Sequence, residues 1–411
     1  MRILFSSMSA QSHITPMLPL AGTAAEAGHD VVFATGPDAV AAVRRCGLEA
    51  VPAGLPFAEV QQRYSKAHGS GLAGLSPQER LAHLLRYGLL GIAAPAMLED
   101  LLPYARALQP DLVIRNLGEP AAEVVAAAVS CPTVIHGFSS PKSSYFAATL
   151  ETGLAELYER CGIDPSRGDS RLGTPYLDIW PEGLHAQAED WQYPNMWPLR
   201  PENALPLAAP VPRPSVLDGL PYERTVYVTA GTTHNSTPGL LETMLEGLCE
   251  EAVNVVVTIG PDGDPNRFGP QLGNVRVERW IDQRTILPHC EAVLCNAGAG
   301  TVLGALAHAT PLVLAPIATD QYEMAAQIEH AGAGLVCSTQ PLSPAAVREA
   351  FHQVSSNPAC STASAWLRDQ IVSMPAPEDL IPRLAELITN RSAPFKSLDT
   401  PPAPSRAKVS G

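Results

Sequence analysis

The sequence predicts an α/β protein of two domains, each a doubly wound parallel sheet with helices on both faces. Three observations lead there. At 411 residues the chain is long enough to build two full hydrophobic cores. Short, continuously apolar runs alternate with helix-period segments in both halves, the pattern of parallel strands buried under helices. Between the halves lies "PLRPENALPLAAPVPRPSVLDGLP" (198–221), whose seven prolines and lack of periodicity read as a linker.

Taken in order, "RILFSS" (2–7) is a strand, ended by its serines. "PMLPLAGTAAEAGH" is a helix closed by Gly28, which sits where a left-handed residue ends a helix. "DVVFATG" (30–36) is the next strand, and "DLVIR" (111–115) and "PTVIHGF" (132–138) flank the helix "PAAEVVAAAV". The spans 55–105 and 139–195 are less regular. They hold Phe57, Tyr64, His68, Tyr87, Tyr145, Phe146, Tyr158, Trp180 and Trp191, and insertions of this kind usually form a binding wall. The second half repeats the pattern, with strands at 224–231, 253–260, 275–280, 292–298 and 311–317 and helices such as "PGLLETMLEGLCEE" between them. "EDLIPRLAELITN" (378–390) is the last periodic segment, and the Pro- and Ser-rich tail after Arg391 is expected to be disordered. The division is therefore a first domain over 1–200, a linker over 201–220, a second domain over 221–375, a closing helix over 376–390 and a tail over 391–411.

Composition narrows the function. A net charge of -14, with no basic run, argues against nucleic acid, whose phosphates are bound by Lys and Arg clusters. The eight cysteines are scattered, with no CxxC, so free thiols in a reducing cytoplasm are expected rather than disulfides or a zinc site. The opening "MRILFSSMSAQSH" lacks the apolar core of a signal peptide, and no stretch approaches the roughly 18 uninterrupted apolar residues of a membrane span. A cytoplasmic enzyme with no membrane or nucleic-acid partner is the expectation.

The most informative stretch is "CNAGAGTVLGALAHATPLVLAPIATDQYEMAA" (295–326). Gly298, Ala299, Gly300 and Thr301 fall after a strand and before a helix, where unpaired amides and the helix dipole favour a diphosphate. Their small side chains let oxygens approach. A nicotinamide-binding fingerprint is the rival reading, with Asp320 as the ribose acid. Two details weigh against it: this is the fourth strand of its domain, not the first, and Asp320 lies three residues past the strand-like run. Asp262-Gly263-Asp264 has a metal-binding DxD pattern but reads as a turn before Pro265, so no metal is expected. His289, His308, His330 and His352 fall in helical patterns and read as structural.

The second half resembles the donor domain of family 1 glycosyltransferases of the GT-B fold, and is most similar to bacterial enzymes that decorate natural products with sugars. The resemblance is carried by "VYVTAGTTHN", "NVVVTIGPDGDP", "NVRVERWIDQRTILPHCEAVLCNAGAGTVLGALAHATPLVLAPIATDQYEMA" and "GAGLVC", in order over roughly 220–340. "RILFSSMSAQSHITPMLPLAGTAAEAGHDVVFAT" matches the opening of the acceptor domain. The resemblance implies two Rossmann-like domains facing a cleft, with the closing helix crossing back to the first. It also implies inverting transfer of a sugar from a nucleotide diphosphate donor to a hydroxyl of a hydrophobic acceptor, with no cofactor. It leaves a homodimer open.

The same resemblance assigns roles. His13 is implied as the general base, in keeping with an imidazole that titrates near neutrality and a hydroxyl that needs a proton acceptor. The family's orienting acid aligns with Asn116, which is neutral, so Glu119 is the candidate substitute and Asn116 a neutral orienter. Trp280 is implied to stack on the base, with Ile281 and Gln283 beside it. Gly231, Thr232 and Thr233 form a second loop near the phosphates, and Asp320 and Gln321 hold the sugar hydroxyls. Where the family usually has a His before the glycine loop, this chain has Asn296, and where plant members place a ribose-binding Glu it has Gly304; the latter favours a thymidine over a uridine diphosphate sugar. The two asparagines keep open an auxiliary protein that activates a partner enzyme. A nicotinamide oxidoreductase and a nucleotide-sugar epimerase are the competing enzyme classes.

Overall fold

A computed structural model describes residues 1–389 apart from 73, 142–143, 165–173, 186–192, 207–211, 233, 319, 338 and 340. Thr233, Trp191 and the tail after Arg391 therefore lie outside the described residues, as do the side chains of Tyr145 and Phe146.

The first sheet is built from β1 (Arg2–Ser6), β2 (Asp30–Thr35), β3 (Glu49–Pro52), β4 (Leu112–Asn116), β5 (Thr133–His136), β6 (Tyr176–Asp178) and β7 (Met196–Pro198), in the order β3-β2-β1-β4-β5-β6-β7. The second holds β8 (Thr225–Thr229), β9 (Asn254–Thr258), β10 (Val275–Glu278), β11 (Ala292–Cys295), β12 (Leu312–Leu314) and β13 (Gly334–Val336), ordered β10-β9-β8-β11-β12-β13. Every pairing is parallel. Parallel sheets need cover on both faces, and β4, β5, β8, β9 and β11 are buried at every residue. In each sheet the order of strand addition reverses once, between β1 and β4 and between β8 and β11. Ligands of doubly wound sheets bind at such a switch point, beyond the carboxyl ends of the strands.

Two expectations change here. The span 55–105 is helical rather than irregular: Phe57–His68 is one helix, and Pro77–His83 runs through a π-wound stretch, Leu84–Ala93, into Ala94–Leu108. The continuous helix Gln78–Leu108 is long and apolar enough to cross a membrane, but Leu85, Leu90, Met97 and Leu101 are buried in the core of the first domain. Tyr64, Tyr158 and Trp180 are likewise buried, so they do not form a binding wall, whereas Tyr87 is exposed.

The domains share a core. One apolar cluster includes Trp180, Leu184 and Trp197 of the first domain with Leu367, Ile371, Leu380 and Leu384 of the last two helices. Helix Pro377–Thr389 packs on Leu18–Glu26, and the Arg383 guanidinium lies 3.6 Å over the Trp197 ring. The linker is docked at its start. Its short turn Glu202–Ala204 packs against both Thr15–Met17 and the helix Ala299–Ala307.

Candidate active site

His13 sits in a short helix, Gln11–Ile14, that follows β1 at the first switch point. Its partner comes from the neighbouring strand. His13 Nδ1 lies 2.7 Å from Asn116 Oδ1, at the end of β4. The carboxamide is held in one orientation, because Oδ1 also accepts the Gly118 N–H at 2.9 Å and Nδ2 donates to the His13 carbonyl at 3.2 Å. An amide oxygen can only accept, so Nδ1 carries the proton and Nε2 presents the basic lone pair. Phe138 stacks on the imidazole, with ring centroids 3.8 Å apart. Gly118 is required by this packing: a Cβ there would lie 2.8 Å from His13 Cε1.

Glu119 does not orient His13, contrary to the sequence-based expectation. Its carboxylate accepts the Ser6 hydroxyl at 2.6 Å and the amides of Ala121 and Ala122 at 2.8 and 3.3 Å. It therefore caps the helix Ala121–Val129 and ties it to β1. Complete burial raises its pKa, against the pull of Ser6, Arg115 and the two amides. Beside Gly118 an apolar pocket opens, lined by Met8, Leu55, Phe57, Met97 and Pro120.

The second switch point carries the glycine loop. Gly298 starts the helix Ala299–Ala307 and offers no side-chain cap, so the first-turn amides have no partner from the cap. Gly300 is exposed and Thr301 is buried. Across from this turn, Gly231 adopts a left-handed φ of 67°, and a Cβ there would lie 3.7 Å from Asn296 Oδ1. Thr232, beside Gly231, is exposed. Asn296 is 2% exposed, and its Oδ1 has no hydrogen-bond partner among the described residues. Rotating that amide turns its NH2 toward the same space, so the residue can donate to an anion held between the two loops. Ala297, fully buried, holds a left-handed φ of 61° between them.

The remaining predicted residues divide. Trp280 is 67% exposed, two residues beyond β10, so it is no core residue and its ring is open to stacking. Ile281 packs on the core, and Gln283 Nε2 donates to Thr301 Oγ1 at 3.1 Å, bracing the turn after β10 against the glycine-loop helix. Gln321 Oε1 accepts the amides of Ile317 and Ala318 at 3.0 and 3.2 Å, which fixes the orientation of its side-chain amide. Asp320 stands at the N-cap of the helix Gln321–His330, but its side chain makes no capping hydrogen bond there. Asp264 caps the turn Pro265–Phe268 through the Asn266 amide, 3.0 Å away, as the turn reading of that DxD sequence requires. Sequence reasoning missed Gly118 and Ala297, whose importance lies in backbone approach, and His234. His234 follows the Gly231 loop, near Asp320; burial lowers its pKa and the Asp320 charge opposes that shift.

Two parallel-sheet domains with a histidine at one switch point and a glycine cradle at the other define a GT-B glycosyltransferase. Models of the erythromycin biosynthesis protein CIII-like N-terminal and C-terminal domains match residues 23–166 and 242–387, and the chain belongs to that family. It is 27% identical to aclacinomycin-T 2-deoxy-L-fucose transferase of Streptomyces galilaeus, over 94% of this chain and 96% of the relative. It is 29% identical to elloramycin glycosyltransferase ElmGT of Streptomyces olivaceus, over 93% and 97%. Glycosyltransferase SsfS6 of Streptomyces sp. SF2575, solved with thymidine diphosphate, superposes with a TM-score of 0.76 at 20% identity, covering 94% of this chain and 99% of that one.

Proposed function

We propose that this glycosyltransferase moves a deoxysugar, with inversion, from a thymidine diphosphate donor to a hydroxyl of a hydrophobic natural product. The single observation that carries the reading is the His13–Asn116 pair, which turns a lone pair on Nε2 away from Asn116. That nitrogen takes the acceptor proton as the acceptor oxygen bonds to the anomeric carbon. The bond from that carbon to the diphosphate breaks on the opposite face, and the electron pair leaves with the phosphate. The amides at Gly298 to Thr301, the Gly231 and Thr232 loop and Asn296 stabilise the charge that develops there. Trp280 stacks on the base, with Ile281 at its edge, while Asp320 and Gln321 hold the sugar. The apolar side chains beside Gly118, among them Met8, Leu55 and Phe57, form part of the wall that the acceptor meets. The thymidine diphosphate bound by SsfS6 and the deoxysugar in the name of the aclacinomycin relative support the donor class. No metal is needed in this scheme, since amides and dipole bear the leaving charge.

Calorimetric titration with thymidine and uridine diphosphates, without metal, tests the donor site. The thymidine form should bind more tightly. His13→Ala should keep that binding and lose at least about 10²-fold in transfer, the usual contribution of a general base. Unchanged turnover in the variant would sink the assignment of the base. Binding of neither nucleotide would favour an auxiliary protein.

A further inference from the structure

The helix Gln321–His330 belongs to the second domain, and its beginning carries Asp320 and Gln321. Its buried face also carries Gln327, 8% exposed. Gln327 Oε1 accepts a hydrogen bond of 3.0 Å from the indole N–H of Trp180, which is 1% exposed and follows β6 of the first domain. The bond therefore crosses the domain boundary inside the protein.

Trp180 is itself held in place. Its backbone amide donates to Asp178 Oδ1 at 3.0 Å. His185 Nε2 lies 3.0 Å from Asp178 Oδ2 and 3.1 Å from the Trp180 carbonyl. The same segment is pinned again at Gly183, whose N–H donates to Gln370 Oε1 at 2.7 Å. A Cβ at Gly183 would collide with the Trp366 ring, so the backbone lies directly on the helix Pro358–Ser373. Apolar faces tolerate sliding, because their attraction has no direction. A buried hydrogen bond does not, since it weakens steeply with distance and angle and leaves two desolvated groups behind when broken.

We propose that Trp180 and Gln327 are a positioning pair: their hydrogen bond sets where the helix that begins at Asp320 stands relative to the first domain, and so relative to His13. The inference rests on the assignment of Asp320 and Gln321 to the sugar. Neither Trp180 nor Gln327 touches substrate. Their effect is on the alignment of the anomeric carbon with the acceptor oxygen, where a misplacement of about 1 Å can cost a hundredfold in rate.

The test is a double-mutant cycle on the full chain with Trp180→Phe, Gln327→Met and both together. Four quantities are read: kcat, KM for the sugar donor, Kd for thymidine diphosphate and the thermal midpoint. Each single variant should lower kcat about tenfold while thymidine diphosphate binding stays within about twofold, because the nucleotide touches only the second domain. The double variant should lose no more than either single one. Losses that multiply, or an unchanged kcat, would overturn the pair. So would a kcat that falls only in step with the thermal midpoint and nucleotide binding, which is the signature of general destabilisation. If Trp180→Phe fails to fold, Gln327→Met alone decides by the same split. Failure of the donor assignment itself is separable, because it would show as no transfer and no nucleotide binding by the unaltered protein.

Discussion

Asn116 decides how the His13 ring is held. A carboxylate at that position would orient the ring and also stabilise it when protonated; a carboxamide only orients it. Glu119, the nearby acid, has both oxygens engaged by Ser6, Ala121 and Ala122. The two residues should therefore separate in their effects. Asn116→Asp places a negative charge beside the imidazole, and the acid limb of the pH–rate profile should move up by about one pH unit or more. Glu119→Gln should leave that limb in place and change kcat less than about threefold, while altering stability. The sign follows from burial. A carboxyl whose folded pKa is raised adds stability below the ordinary carboxylate range and loses it as pH rises through the raised value. Removing the titration should flatten that decline in a pH series of unfolding curves. A shift of the acid limb in Glu119→Gln would restore Glu119 as the orienter.

At the scale of elements, the proposed donor side is the start of the helix Ala299–Ala307 facing the loop at Gly231. Helix Ala299–Ala307 is buried at every position from Thr301 to Ala307, so it is fixed, and its first turn is presented rather than mobile. Asn296 stands where a cationic side chain would strengthen anion binding. A neutral donor supplies less, and Asn296→Ala should weaken thymidine diphosphate binding about three- to tenfold by calorimetry. Trp280 offers a cleaner separation of binding from folding. At 67% exposure it contributes little to the core, so Trp280→Ala should leave the unfolding midpoint nearly unchanged while costing about 1–3 kcal/mol in nucleotide binding. A large drop in stability with intact binding would mean that the ring serves packing instead.

For the whole molecule, the two domains are joined by more than a tether. The closing helix packs on Leu18–Glu26, a few residues after His13, and the linker turn Glu202–Ala204 touches the segment after His13 and the glycine-loop helix. Leu384 is fully buried within the cluster that spans both domains. Leu384→Ala should cost about 2–5 kcal/mol, read from denaturant unfolding, and should lower kcat beyond the loss of folded protein. A variant that unfolds in two separate steps would show that this helix carries the coupling between the domains.

Much of this was legible along the chain. Strands such as Thr225–Thr229 and Asn254–Thr258 are continuously apolar enough to announce themselves, and the glycine loop and its helix are local features with local causes. The strands Glu49–Pro52, Tyr176–Asp178, Met196–Pro198 and Gly334–Val336 are too short to show a period, and only pairing with a neighbour makes them strands. By itself the sequence determined the alternation of elements, the two-domain plan and the glycine loop with its helix, because each depends on residues close together in the chain. Tertiary structure alone decided that Asn116 rather than Glu119 meets His13 across 103 residues. It alone separated Trp280, which is exposed, from Trp180, which is buried across the domain boundary. Two tryptophans look alike in a sequence; burial and partners belong to the surroundings each side chain meets once the chain has folded.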